Sequence, residues 1–137
     1  MVRTYSEMAA LPTFDERFEY LKLGGIVGDA TFGFSRYLNQ MFYTSYKWKR
    51  TRRQVIIRDS GCDLGCEDRP IYEGLFIHHL NPVTLAQVED DDWRLYDLEN
   101  LVCCSYDTHL AIHYGSDSLL PYTDFARRSP NDTIPWR

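Results

Sequence analysis

The stretch IYEGLFIHHLNPVTLAQVEDDDWRLYDLENLVCCSYDTHLAIHYG, residues 71–115, decides the fold. It opens with Ile71, Leu75 and Ile77 alternating against Tyr72 and Phe76, the period-two pattern of a strand that ends on His78-His79. Asn81-Pro82 breaks that strand, and Thr84-x-x-Gln87 starts a short helix by capping-box logic. An acidic loop follows (Glu89, Asp90, Asp91, Asp92), then a second strand over Leu101–Cys104. Ser105 caps a helix carrying His109 and His113, and Gly115 ends it. The C-terminal half therefore reads strand, long loop, strand, helix.

The upstream half reads as helical. Thr13 can accept the Glu16 amide while the Glu16 carboxylate reaches back, and Phe14, Phe18 and Leu21 recur at helical spacing until Gly24-Gly25. Residues 26–34 form a connector, and a short helix fits Ser35–Met41. Ser45 caps a longer helix to about Arg58, which Asp59-Ser60-Gly61 ends. On its wheel Trp48, Val55 and Ile56 share one side, with Lys47, Arg50, Arg53 and Arg58 around the opposite arc. Arg52 falls between Trp48 and Ile56 on the inward side, where a guanidinium needs a carboxylate or phosphate partner. The fold class is α+β in one domain over 1–137: a helical, basic arm (1–58) packed on the 71–115 core, followed by a 116–137 tail rich in Pro, Asp, Ser and Arg.

Composition narrows the class. With 137 residues, 44% hydrophobic and 26% charged, the chain has enough apolar material for one core and is neither a disordered tail nor a collagen-like repeat. It has no internal repeat. No apolar run approaches the roughly 18 residues of a membrane span, and the N-terminus lacks signal-peptide character. A soluble, cytoplasmic protein is expected, with Cys62, Cys66, Cys103 and Cys104 as reduced thiols. The net charge of −5 conceals an asymmetry: residues 1–58 hold ten basic against five acidic side chains, residues 59–137 five against fifteen. Lys47, Lys49, Arg50, Arg52, Arg53 and Arg58 fall within twelve residues that contain no acid, as a surface meeting a polyanion would.

All four histidines lie in one 36-residue window. Positions i and i+4 share a helical face, so His109 and His113 can bind one ion together. His78 and His79 are neighbours on a strand and point to opposite sides, which suits two roles better than two bonds to one ion. Three imidazoles leave coordination positions open for water or substrate. The fourth, with an ordinary pKa near 6.5, can deprotonate a water.

This order of residues resembles the HNH endonuclease motif: His78-His79, then Asn100 opening the second strand, His109 nine residues on and His113 four beyond. It is most similar to the version found in nuclease colicins. FYTSYKWKRTRRQVIIRDSGC (Phe42–Cys62) is also similar to the segment that precedes the motif in phage and prophage HNH proteins. The resemblance implies a ββα-metal finger, with His78, His109 and His113 as metal ligands and His79 as general base. Asn100 would pin the loop carrying His79 through backbone hydrogen bonds. It further implies one divalent ion (Zn, Ni, Mn, Co or Mg), DNA as substrate, and work beside phage terminase or packaging proteins in a bacterial host cytoplasm.

The chemistry is coherent apart from any family. Phosphodiester hydrolysis needs an in-line nucleophile and charge neutralisation at the phosphorane. Lys47, Lys49, Arg50, Arg52, Arg53 and Arg58 would supply phosphate contacts, with Arg52 the candidate nearest the metal. Two departures from the family pattern stand out. Many HNH proteins hold a structural zinc on two Cys-x2-Cys pairs, whereas Cys62-x3-Cys66 is one residue wider and Cys103-Cys104 are adjacent, with Ser105 and Thr108 near the second pair's places. The thiols either converge on a zinc or serve as small buried hydrophobes. The 20-residue stretch between His79 and Asn100 also carries Glu89–Asp92, which either gates the site or projects away, and which points to a partner that delivers DNA. The expected function is a metal-dependent DNA endonuclease of low sequence specificity. The alternatives are a non-catalytic, metal-stabilised module binding DNA or a packaging protein, and an RNA-cleaving enzyme.

Overall fold

Among the described residues, five of the six helices open on a hydroxyl that accepts an otherwise unpaired amide. In the computed structural model, which describes residues 2–23 and 36–121, Thr4 caps α1 (Tyr5–Ala9) and Thr13 caps α2 (Phe14–Leu21). Ser45 caps α4 (Tyr46–Asp59), Thr84 caps α5 (Leu85–Glu89) and Ser105 caps α6 (Tyr106–Tyr114); α3 is Arg36–Thr44. The Gln87 side chain returns the bond to the Thr84 amide, completing a capping box. Helix α4 stops where Ser60 adopts a left-handed conformation (φ 54°), and α6 stops at Gly115 (φ 65°). Helix α1 was not anticipated, because five residues are too few for a periodic signal. The connector at 26–34, the Gly24-Gly25 stop and the tail beyond residue 121 lie outside the described residues. The start of that tail is folded: Asp117–Leu119 form a 3-10 turn and Leu120 enters the core.

Strands β1 (Leu75–His79) and β2 (Leu101–Ser105) pair antiparallel, with His78 opposite Val102 and His79 opposite Leu101. The first strand is shorter than the alternation from Ile71 suggests. Gly74 takes a positive φ (68°) that ends the extended run, and the preceding residues pair elsewhere: Ile71 donates to the Gly61 carbonyl and Pro70 bridges Cys62. Opposed residues of an antiparallel pair share a face, so the ribbon divides the core in two. Val102 and Cys104 pack with Met8, Phe14, Phe18, Leu21 and Ile112 from α1, α2 and α6. Leu101 and Cys103 pack with Phe42, Trp48 and Val55 from α3 and α4. These four of the five β2 residues are fully buried, and each larger side chain sealed this way contributes about 1.5–3 kcal/mol.

The outer edge of β2 has no third strand among the described residues; side chains from the end of α4 stand in for one. Arg58 donates to the Leu98 and Leu101 carbonyls (2.6 and 2.5 Å), and the fully buried Asp59 carboxylate accepts the Cys103 amide at 2.9 Å. Asp63, four residues on, accepts the Ser105 amide (3.2 Å), the Ser105 hydroxyl (3.1 Å) and the Thr108 hydroxyl (2.6 Å). The backbone groups of residues 101, 103 and 105 are thus satisfied in sequence. Asp59→Ala and Asp63→Ala should each cost about 3 kcal/mol, since each strands buried donors. Urea midpoints measure this, with the exposed Asp90→Ala within about 0.5 kcal/mol of wild type as control.

Candidate metal centre

The register that places His78 opposite Val102 sends its imidazole toward α6, where His109 and His113 lie one turn apart. Donor nitrogens of the three rings all fall within 4.8 Å of one another, and the Nε2 atoms of His109 and His113 are 2.9 Å apart. Ring centroids are separated by 5.4, 5.2 and 4.4 Å. His78 is 1% exposed, and its Nε2 is buried with no hydrogen-bond partner. Burial pushes all three rings below the ordinary imidazole range, His109 to about 4, and the crowding of the rings adds to the effect at His78 and His109. The rings are therefore neutral, which is the form that binds metals.

A buried nitrogen with no partner, such as His78 Nε2, costs about 1–3 kcal/mol, and a cation shared by the three neutral rings would offset that cost. Imidazoles on one ion at roughly 2.0–2.1 Å hold their nitrogens a little over 3 Å apart, and the donors here lie within 4.8 Å of one another. His78, His109 and His113 could hold one metal ion.

His79 lies on the other face of the ribbon. Its ring stacks on Trp48 (centroids 5.4 Å, planes 19° apart), and its Nε2 is 3.1 Å from the Leu95 carbonyl. A carbonyl only accepts, so Nε2 carries the proton and Nδ1 keeps the lone pair. Burial holds the ring neutral, pulling its pKa down to about 4. Asn100 fixes both ends of this arrangement. Its Oδ1 accepts the backbone and side-chain amides of Asn81 (3.0 and 2.8 Å), and its Nδ2 donates to the Arg94 carbonyl (3.2 Å), next to Leu95. Sequence reasoning missed Asn81, treating it only as a strand breaker. Asn81 also exchanges two 2.8 Å bonds with the Arg3 backbone, tying the N-terminal segment to the same point.

Histidines 78, 79, 109 and 113 line one cleft of about 340 Å³ together with Trp48 and Arg52. Arg52 reaches it as its wheel position suggested, with a long contact (3.4 Å) to the Leu75 carbonyl. Lys49, Arg50 and Arg53 are exposed along α4. Lys47 is engaged: it pairs with Asp91 at 3.3 Å and sits 4.1 Å from the Tyr96 ring centre, while Asp91 also accepts the Tyr96 hydroxyl. The acidic loop thus folds back onto α4 rather than projecting away. Arg58 departs from the sequence reading. Its guanidinium points inward, bonded to Asp59 and the β2 edge and lying 3.4 Å over the Tyr5 ring, so it does not present a surface charge. The last turn of α4 rotates it toward β2, and the wheel reading lacked that strand.

All four cysteines are free and buried, and burial raises every thiol pKa, Cys103 to about 12. Among the described residues the histidine triad is the one cluster of His, Cys, Asp and Glu that could hold a metal, and Cys66, Cys103 and Cys104 pack in the apolar core as small hydrophobes. Asp63 instead ties the Cys62–Cys66 segment to Ser105 and Thr108.

Compared with protein-family profiles, curated proteins and solved structures, the chain has no match in any of the three.

Two mutant pairs separate these roles. His109→Ala should lose bound metal and the added thermal stability that metal confers (about 2.7 kcal/mol at one hundred times Kd), whereas His79→Ala should retain both. Metal content by mass spectrometry and melting curves with and without added Zn²⁺ give the answer; equal metal loss in both variants overturns the division. Arg58→Ala should cost about 3 kcal/mol of stability, while the exposed Arg53→Ala should leave the urea midpoint almost unchanged.

Proposed function

We propose that the protein is a metal-dependent endonuclease of the HNH type, hydrolysing phosphodiester bonds in DNA on a ββα-metal core. One observation carries this reading: consecutive histidines at the end of β1 are divided between two jobs. His78 joins a neutral triad fit for a cation, while His79, with its tautomer fixed by a carbonyl, lines the same cleft.

A divalent ion bound by His78, His109 and His113 would neutralise charge on the phosphorane and on the leaving oxygen. Imidazole ligands favour Zn²⁺, Ni²⁺, Co²⁺ or Mn²⁺ over Mg²⁺ in affinity. The chain supplies the rest. His79 takes a proton from water at Nδ1, and the imidazolium that results keeps its Nε2 proton on the Leu95 carbonyl. Asn100 prevents the ring from drifting by fixing the residues beside both of its anchors. Arg52 meets the phosphate in the cleft, and Lys49, Arg50 and Arg53 hold the flanking backbone. A metal-stabilised binding module without catalysis would need the triad but would give no use to the held tautomer of His79.

Metal-stripped protein, given Mg²⁺, Mn²⁺, Ni²⁺ or Zn²⁺ singly, should nick supercoiled plasmid with at least one ion. His79→Ala should lower the rate at least a hundredfold with metal content unchanged. Asn100→Ala should also reduce it while keeping the metal. Absence of nicking by folded, metal-loaded protein would replace the enzyme with the binding module.

A further inference from the structure

The cleft beside the histidines is more apolar than a phosphate needs. Apart from Arg52 and the four imidazoles, its walls are hydrocarbon and aromatic: Tyr43 from α3, Phe76 from the α6 side of β1, and Pro82 and Val83 beyond the strand. Tyr43 and Phe76 are each 39% exposed, although rings of that size gain by burial. Phe76 adjoins the metal cluster, its ring 5.6 Å from that of His109. The volume, about 340 Å³, is at the small end of clefts that take compact ligands, roughly 300–1,000 Å³. Charge supplies the second constraint. The helix that gives Trp48 and Arg52 to the cleft shows Lys49, Arg50 and Arg53 to solvent, so a polyanion drawn to α4 reaches the cleft.

A ligand that is anionic along its backbone and aromatic in its side groups satisfies both constraints; that is a polynucleotide strand. In a duplex the base faces are already stacked and cannot enter. We infer that the cleft is a base-binding subsite, taking one unpaired nucleobase against Tyr43 and Phe76 while Arg52 holds an adjoining phosphate. This rests on the nucleic-acid reading above and adds to it a substrate class: single-stranded, gapped or locally unwound segments are favoured over intact duplex. Aromatic stacking tolerates every base, so the subsite adds no sequence specificity.

The test is a binding titration in EDTA, where cleavage cannot intervene. A fluorescein-labelled twelve-residue oligothymidylate is compared by anisotropy with a strand of equal length and charge whose central residues are abasic. Wild type should bind the thymidylate strand about tenfold more tightly. Tyr43→Leu and Phe76→Leu, which keep apolar volume but remove the ring, should each bring that ratio near one with little change in affinity for the abasic strand. Equal affinity of wild type for both strands, no binding to either, or a ratio unmoved in both variants overturns the subsite. Plasmid nicking with a ratio of one would remove the subsite and leave the nuclease. A tenfold ratio without nicking would do the reverse.

Discussion

The fold depends on how the open edge of β2 is satisfied. A two-stranded ribbon is marginal alone, and β2 is buried on both faces, so its outer amides and carbonyls cannot turn to water. Arg58, Asp59 and Asp63 meet them at positions 101, 103 and 105 from one short stretch of chain. Burying these charges is costly unless lone pairs and protons are used, and here the three side chains are met by one another, by backbone and by the Ser105 and Thr108 hydroxyls. Burial still pushes the Asp63 carboxyl upward against its donors. The contact also anchors α4 at its C-terminal end, and with it Trp48, which stacks on His79, and Arg52 in the cleft.

With the ribbon fixed between two helical layers, strand geometry does the remaining sorting. Residues 78 and 79 must face opposite layers, and each layer presents what its histidine needs. On one side α6 brings two imidazoles a turn apart; on the other, Trp48 and the Leu95 carbonyl frame a single ring. A slip of one residue in register would exchange the two roles and bury His79 among the ligands. The pairing is therefore a chemical constraint as much as a packing one.

Much of this was legible in the sequence because it is written locally. Hydroxyl caps at Thr13, Ser45, Thr84 and Ser105 marked helix starts, and Gly115 marked an end. The His-x3-His spacing and the strand-end His-His pair placed the triad, and the wheel turned Arg52 inward. What escaped notice depends on contacts far apart in the chain. Arg58 lies on the polar arc of α4 by periodicity, and only the position of β2, some forty residues later, makes it an interior group. Asp59 reads as a helix end for the same reason, and nothing local marks Asp63. The upper part of the first strand failed on conformation, since Gly74 at positive φ interrupts an alternation that composition alone continues through. Asp63, in the turn between Cys62 and Cys66, ties that segment to Ser105 and Thr108 through hydrogen bonds that no local pattern announces.

In a chain of net charge −5 the acidic loop folds against the basic helix α4. Asp91 is held by Lys47 and the Tyr96 hydroxyl, and Asp92 accepts the Arg94 amide at the start of the Trp93–Tyr96 turn. The same turn carries the Leu95 carbonyl that orients His79 and the Arg94 carbonyl that Asn100 holds. Two of the four carboxylates are thus spent shaping the turn that supports the His79 ring. Lys47 is paired with Asp91 at the surface, and Lys49, Arg50 and Arg53 stay exposed along the same helix. One helix thus serves both ends of the problem: its inner face braces the ring that would move a proton, and its outer face offers the charge that would bring a phosphate to it.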